Sequence, residues 1–360
     1  MKQRLLMTAS TFSHIEHFHL PYLQRFHELG WEVHIACGGG EREIPFADKV
    51  LSLPLEKRFL SVSNFKASAM LRRLMRENEY DIVTAHTSLA SFFTRLAEIG
   101  LKPHPRTINV VHGYLFDDRT PKLKAAVLKA AELLVAPQTD LVLTMNEYDA
   151  RWAKAHRAGK AVRSIPGMGV DVKKLSPGPN TVSFGTGEND FVLVYAAEFS
   201  RRKNQTMLIR AMTRLPERVK LLLPGDGVLL EACKGLAKEL GVSERVIFPG
   251  YVKNMGGLLS QANAAVTCSR SEGLPFNVME AMLMGLPVIA SRVKGHTDLV
   301  EDSATGLLCE YGNEEAFAEA IGKLADDALL AERMGVRGRE KAQAYTLHAV
   351  LPQVMDEYLQ

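Results

Sequence analysis

Short apolar runs rich in valine, isoleucine and leucine alternate along this chain with longer stretches in which apolar residues recur every three or four positions. The first pattern predicts buried strands and the second amphipathic helices. In the amino-terminal half, residues 4–9, 31–37, 81–85, 107–111 and 141–144 read as strands. Between the first two, a helix with Tyr22, Leu23, Phe26 and Leu29 on one face ends at Gly30. In the carboxyl-terminal half, residues 191–197, 220–223, 246–249, 264–268 and 288–290 repeat the theme. Strand and helix in strict alternation predict parallel sheets with right-handed crossovers. A stretch rich in proline and glycine, at residues 166–188, separates the halves and reads as a linker. The expected organisation is therefore an α/β chain of two Rossmann-like parallel-sheet domains. They span residues 1–165 and 189–344, and a last helix at 345–360 crosses back to the first.

The densest chemistry lies in residues 267–306, TCSRSEGLPFNVMEAMLMGLPVIASRVKGHTDLVEDSATG. A strand ends there, Pro275 and Asn277 mark a helix start, and Gly285 with Pro287 stops the helix before the next strand. Glu272 then falls in the loop at a strand's carboxyl end and Glu280 in the first turn of the following helix. Crevices of this kind bind ligands in open α/β sheets, and a helix amino terminus favours an anion. Two carboxylates beside it accept hydroxyl hydrogen bonds, so the pair points to a ligand with both phosphate and diols, such as a sugar nucleotide. Either glutamate alone also suits a bland role, solvated in a loop or complementing the helix dipole.

The segment E-G-L-P-F-x-x-x-E-A-M-x-x-G-L-P-V-I-A-S, followed by G-H-x-D-L-V and T-G-L-L, resembles the nucleotide-sugar half of family 4 retaining glycosyltransferases. Its Glu-x7-Glu signature falls on Glu272 and Glu280. The resemblance implies a GT-B fold, two Rossmann-like domains facing each other across a cleft, and transfer of a sugar from a nucleoside diphosphate sugar, by family habit a UDP-sugar. It places Gly225 in a G-D-G turn against the nucleotide, and the backbone of Gly250 and Tyr251 along the base. Gly273, Leu274, Pro275, Phe276 and His296 go beside the diphosphate or sugar. Lys203 matches the lysine of the family's G-R-L-x-x-x-K, but Glu198 stands where arginine is expected, so Arg201 or Arg202 is expected to take that role. The resemblance also sets His112, at the end of a β-branched run, near the donor sugar. Glu272, His112 and Lys203 are the implied catalytic groups.

In the first half, the loop S-H-I-x-x-F-H-x-P resembles the polysaccharide-assembly branch of the family instead of the common Gly-Gly form. His14, His17 and, after a later strand, His86 are the expected acceptor-binding residues. Three histidines lie in this loop (His14, His17 and His19), but no carboxylate or cysteine partner completes a ligand set, so no metal site is expected. Nor does an Asp-x-Asp triplet occur to hold a nucleotide's divalent ion. No cofactor is expected, and the absence of a strand followed by G-x-G-x-x-G argues against an NAD-dependent enzyme.

Composition and charge then narrow the partners. The chain has 360 residues, 46% hydrophobic and 24% charged, which suits ordinary globular domains. Its four cysteines lack C-x-x-C spacing and read as packed thiols. No apolar stretch approaches the roughly 18 residues of a spanning helix, and the start of the chain does not read as a signal peptide, so a cytoplasmic location is the expectation. The net +3 is the sum of +6 over residues 1–170 (23 basic, 17 acidic) and −3 over 171–360 (21 basic, 24 acidic). Residues 57–76 carry six basic and no acidic side chains among Phe59, Leu60, Phe65, Met70, Leu71 and Leu74, and Lys122, Lys124 and Lys129 lead another basic helix. These stretches read either as solvated helices or as a surface for the inner face of an anionic membrane, with a saccharide or lipid-linked saccharide as acceptor and no nucleic-acid partner. A nucleotide-sugar epimerase of the same fold class, or a binding subunit without turnover, is the alternative.

Overall fold

The computed structural model describes residues 2–40, 42–177 and 184–360; residues 178–183 of the expected linker lie outside the described residues. The chain forms two compact units. One comprises Met1–Gly169 with Val350–Gln360, the other Val170–Ala349.

The first unit holds a parallel sheet of seven strands among the described residues: β1 (Arg4–Ala9), β2 (Glu32–Gly38), β3 (Lys49–Leu53), β4 (Ile82–His86), β5 (Arg106–Val111), β6 (Leu141–Thr144) and β7 (Ala161–Ser164). Their spatial order is β3-β2-β1-β4-β5-β6-β7, so the direction of winding reverses between β1 and β4. The central strands are buried along nearly their whole length, which explains their continuous apolar runs. The closing helix Leu347–Leu359 buries Val350, Val354, Met355 and Tyr358, and the Tyr358 ring stacks 5.9 Å from Phe26. The sequence reading did not include β3 and β7, and three further details depart from it. The histidine loop after β1 is a short helix, Phe12–Phe18, capped by the Thr11 hydroxyl. Leu29 is 45% exposed, because the helix Leu20–Glu28 ends before it and its core face is Tyr22, Leu23 and Phe26. The basic helix begins at Val62, and Leu71 and Leu74 point into the core.

The second unit holds six parallel strands among the described residues: β8 (Phe191–Val194), β9 (Val219–Leu222), β10 (Val246–Ile247), β11 (Ala264–Thr267), β12 (Val288–Ser291) and β13 (Gly306–Cys309). The order β10-β9-β8-β11-β12-β13 reverses between β8 and β11. Each sheet thus has one topological switch point, where loops from the two flanking strands diverge and leave a crevice at the carboxyl ends.

Candidate active site

In the second unit the switch point brings together the loops after β8 and β11. After β8 the chain runs through residues 198–204 into the helix Gln205–Ala211, and after β11 through Glu272 to the helix Phe276–Leu283. Tyr195 ties the two loops: its hydroxyl bonds the Ser269 hydroxyl at 2.7 Å and donates to the Lys203 carbonyl at 3.1 Å. The backbone of Lys203 is thereby fixed, and its Nζ donates to Glu272 Oε1 at 2.6 Å. Arg202 donates to the other carboxylate oxygen at 2.7 Å and to the Ser271 carbonyl at 3.1 Å. Glu272 is 8% exposed and Lys203 9%, so the pair is buried, with Arg202 closing it from the solvent side. Burial alone would raise the Glu272 carboxyl, but Lys203 and Arg202 outweigh it and hold the group at about 2. Burial lowers the Lys203 ammonium, against the pull of Glu272.

Arg202, not Arg201, therefore pairs with Glu272, and Glu198 is an exposed loop residue whose carbonyl accepts from Gln205. We expect Arg202→Ala to weaken nucleoside diphosphate binding at least tenfold, as loss of a hydrogen bond to a charged group does, and Arg201→Ala to leave it nearly unchanged. Calorimetry on both variants checks this, and equal small effects would return the basic run to a solvated loop.

Glycines permit the surrounding loops to close up. Gly225 has φ +139°, and a Cβ there would lie 2.2 Å from the Ala197 carbonyl oxygen. Its amide donates to the Gly250 carbonyl at 2.8 Å, so the turns after β9 and β10 meet the loop after β8. Tyr251, next in the chain, is 70% exposed. Gly295 plays the same part on the other side, where a Cβ would lie 2.6 Å from the Gly273 carbonyl. His296 is fully buried behind it. Its Nδ1 donates to the Ser291 carbonyl at 2.8 Å and its Nε2 lies 3.3 Å from the Thr267 hydroxyl, so the ring braces the loop. Burial pushes it down to about 4, and it is neutral at physiological pH.

The helix Phe276–Leu283 starts one residue earlier than the Asn277 signal predicts, with Pro275 as its cap. Glu280 consequently lies in the second turn and not the first, which removes the bland role of complementing the dipole. No acidic side chain occupies the first turn and no side chain caps it, an arrangement open to an anion. Gly273 and Leu274 lead into this terminus. Glu280 is half-buried, and its surroundings push its carboxyl up to about 7, chiefly through burial, with Lys174 opposing.

The first unit presents a different cluster at its own switch point. His14 comes from the short helix after β1 and His19 from the residue that follows it, His86 from the end of β4, and His112 from the position just past β5. Nε2 of His112 lies 3.3 Å from Nε2 of His14 and 3.2 Å from Nδ1 of His86. His17 is not part of it: its ring turns to the Ser13 carbonyl at 2.6 Å on the outer side of the short helix. Burial pushes His14 down to about 4 and the other three well below the ordinary range, with mutual repulsion adding to the effect. Of these residues His19 was not among those expected to bind the acceptor, because its partners sit on strands distant along the chain.

A family model described as Glycosyl transferases group 1 matches residues 180–341, and one described as Glycosyltransferase Family 4 matches residues 22–174. EpsD of Bacillus subtilis (strain 168), which carries the name of a glycosyltransferase, is 31% identical over 99% of this chain and 97% of its own. The UDP-Gal:alpha-D-GlcNAc-diphosphoundecaprenol alpha-1,3-galactosyltransferase of Escherichia coli is 26% identical over 75% of this chain and 72% of its own. Among solved structures, Anabaena Alr3699/HepE in complex with UDP and glucose superimposes with a TM-score of 0.80 at 19% identity, covering 99% of both chains.

Proposed function

We propose, from the premise that this chain belongs to the family 4 glycosyltransferases and has their GT-B fold, that it transfers a sugar from a UDP-sugar to a saccharide hydroxyl with retention of anomeric configuration. The observation that carries this reading is the buried carboxylate of Glu272 held between Lys203 and Arg202 at the switch point of the second unit. As the bond between the sugar's anomeric carbon and the diphosphate oxygen lengthens, positive charge grows on the sugar and negative charge on the phosphate. Lys203 and Arg202 lie beside Glu272 to stabilise the phosphate, and Glu272, ionised at any physiological pH, accepts hydrogen bonds from sugar hydroxyls. The acceptor oxygen then forms the new bond on the same face, and its proton passes to the departing phosphate oxygen, so no protein base is required. Glu280 takes the ribose diol. His112 positions the sugar or the acceptor, with His14 and His86 beside it.

A uridine donor is favoured by the Escherichia coli relative, whose name specifies UDP-Gal, and by the structural neighbour with UDP bound. The same relative favours a lipid-linked acceptor. Incubation with a panel of nucleotide sugars, with and without a polyprenyl-diphosphate saccharide, tests the whole reading. Release of nucleoside diphosphate that depends on the acceptor is expected for UDP-sugars alone. Turnover without acceptor to an epimeric sugar nucleotide would instead make it an epimerase, and tight binding without turnover a binding subunit.

Membrane association of the first unit is part of this reading. No helix among the described residues is long and apolar enough to cross a membrane. Leu60 is 75% exposed and Leu123 81%, and Phe65 and Met70 are also exposed beside Lys57, Arg58 and Lys66. Arg72 is tied to the carbonyls of Ala97 and Ile99, so it belongs to the fold and not to a docking face. Basic side chains contribute about 1 kcal/mol each near an anionic surface. Sedimentation with anionic vesicles is therefore expected at low salt, and to fall when Lys57, Arg58 and Lys66 are changed to glutamate; wild type remaining in the supernatant would refute it.

A further inference from the structure

The four-histidine cluster of the first unit has a geometry that hydrogen bonding among imidazoles does not explain. A neutral imidazole has one N–H and one lone pair in the ring plane. Nε2 of His112 has two imidazole nitrogens within 3.2–3.3 Å, and a single lone pair or a single hydrogen serves one of them well. His19 and His86 are fully buried, yet neither nitrogen of His19, nor Nε2 of His86, has a hydrogen-bond partner. Buried polar atoms left in this state cost about 1–3 kcal/mol each, and an ion held by one His19 nitrogen would relieve one of them.

The spacing identifies its class. Around a tetrahedral zinc ion with Zn–N distances of about 2.0–2.1 Å, neighbouring nitrogens are about 3.3–3.4 Å apart, the edge of the tetrahedron. The separations at His112, 3.2 and 3.3 Å, are close to that edge, and one nitrogen from each of His14, His19, His86 and His112 lies within 4.8 Å of all the others. Four nitrogens without thiolate or carboxylate suit the borderline divalent ions of the nickel, copper and zinc group and not magnesium or calcium. The scaffold also holds the donors in place. Thr87, next to His86, has φ +63°, a conformation β-branched residues avoid, and its hydroxyl is pinned to Ser10 by contacts of 2.6 and 3.0 Å. Strain of this kind collects where a neighbouring side chain must be aimed. We propose that His14, His19, His86 and His112 form a binding site for one divalent ion of the zinc class at the switch point of the first unit.

This inference does not rest on the transfer reading, and it differs from the expectation of no metal because the two completing ligands come from β4 and the end of β5, far from the loop in sequence. The donor phosphate has its own cations, Lys203 and Arg202, in the other unit. An ion on Nε2 of His112 and a hydrogen bond from that nitrogen to a saccharide exclude each other. Zinc is accordingly expected to slow turnover, and chelator to restore it.

Titration of chelator-treated full-length protein with zinc chloride, followed by calorimetry, is expected to show one equivalent bound. Cobalt in its place is expected to show the visible bands of a tetrahedral ion. His19→Ala and His86→Ala should each weaken zinc binding at least tenfold and abolish the zinc-dependent rise in Tm, while His17→Ala should change neither. Should both buried variants fail to fold, His14→Gln, at a partly exposed position, carries the same expectation. Absence of binding to wild type, octahedral cobalt spectra, or zinc affinity unchanged in the folded variants would overturn the site. Binding without an effect on turnover would leave the metal site standing and remove His112 from saccharide binding.

Discussion

Replacing Lys203 by alanine is expected to slow turnover about 10²- to 10³-fold, the usual consequence of deleting one fixed group that stabilises developing negative charge. Two features of the structure set that magnitude. Lys203 is 9% exposed, so its field is little screened by water, and its backbone is held by Tyr195. The variant also removes one partner of a buried ion pair, which ordinarily costs about 3–5 kcal/mol of stability. A smaller cost is expected here, because Arg202 remains on the other oxygen of Glu272. Nucleoside diphosphate release, measured with circular dichroism and a thermal melt on the same preparation, separates the two effects. A folded Lys203→Ala protein with near wild-type turnover would dismiss Lys203 from the reaction. The pair also predicts acid sensitivity: Glu272 is held at about 2 against an ordinary 4.5, so the stability it contributes is complete above about 4.5 and is lost as pH falls toward 2.

Glu280→Ala is expected to weaken nucleoside diphosphate binding by about 1.5–3 kcal/mol, or about 10- to 150-fold, if the carboxylate accepts two bonds from a ribose diol. The wild-type affinity should itself depend on pH. Only the ionised carboxylate accepts both bonds, and burial pushes the group up to about 7, so affinity is expected to rise as pH increases through 7. The effect on folding has the opposite sign. The folded state keeps its proton between about 4.5 and 7 while the unfolded chain has lost it, so stability from this group falls with rising pH over that window. Glu280→Gln, which keeps the shape and cannot ionise, should flatten the pH dependence of binding. Because the terminal phosphate of the nucleotide titrates nearby, the decisive quantity is the difference between wild type and Glu280→Gln. Identical pH profiles, measured by calorimetry, would remove Glu280 from the ribose site.

Ten of the thirteen strands among the described residues, the Glu-x7-Glu pair and the basic run before the helix at Gln205 were legible in the chain because each is a local pattern. A buried parallel strand needs a continuous apolar run, a helix needs the 3.6-residue period, and glycines at positions such as Gly225 and Gly295 are required where a Cβ would strike backbone. What the sequence could not decide is which side chains meet. Among three successive cations, only the path of the loop after β8 puts Arg202 and Lys203 on Glu272 and leaves Arg201 outside. The start of a helix one residue earlier moved Glu280 into the second turn. The basic helix kept its charge, but packing took Leu71, Leu74 and Arg72 for the fold. In the histidine loop, spacing grouped His14 with His17, whereas the winding reversal between β1 and β4 grouped His14 and His19 with His86 and His112. Local order follows from neighbours along the chain. Convergence at a switch point follows from strand order, which joins residues that no sequence interval relates.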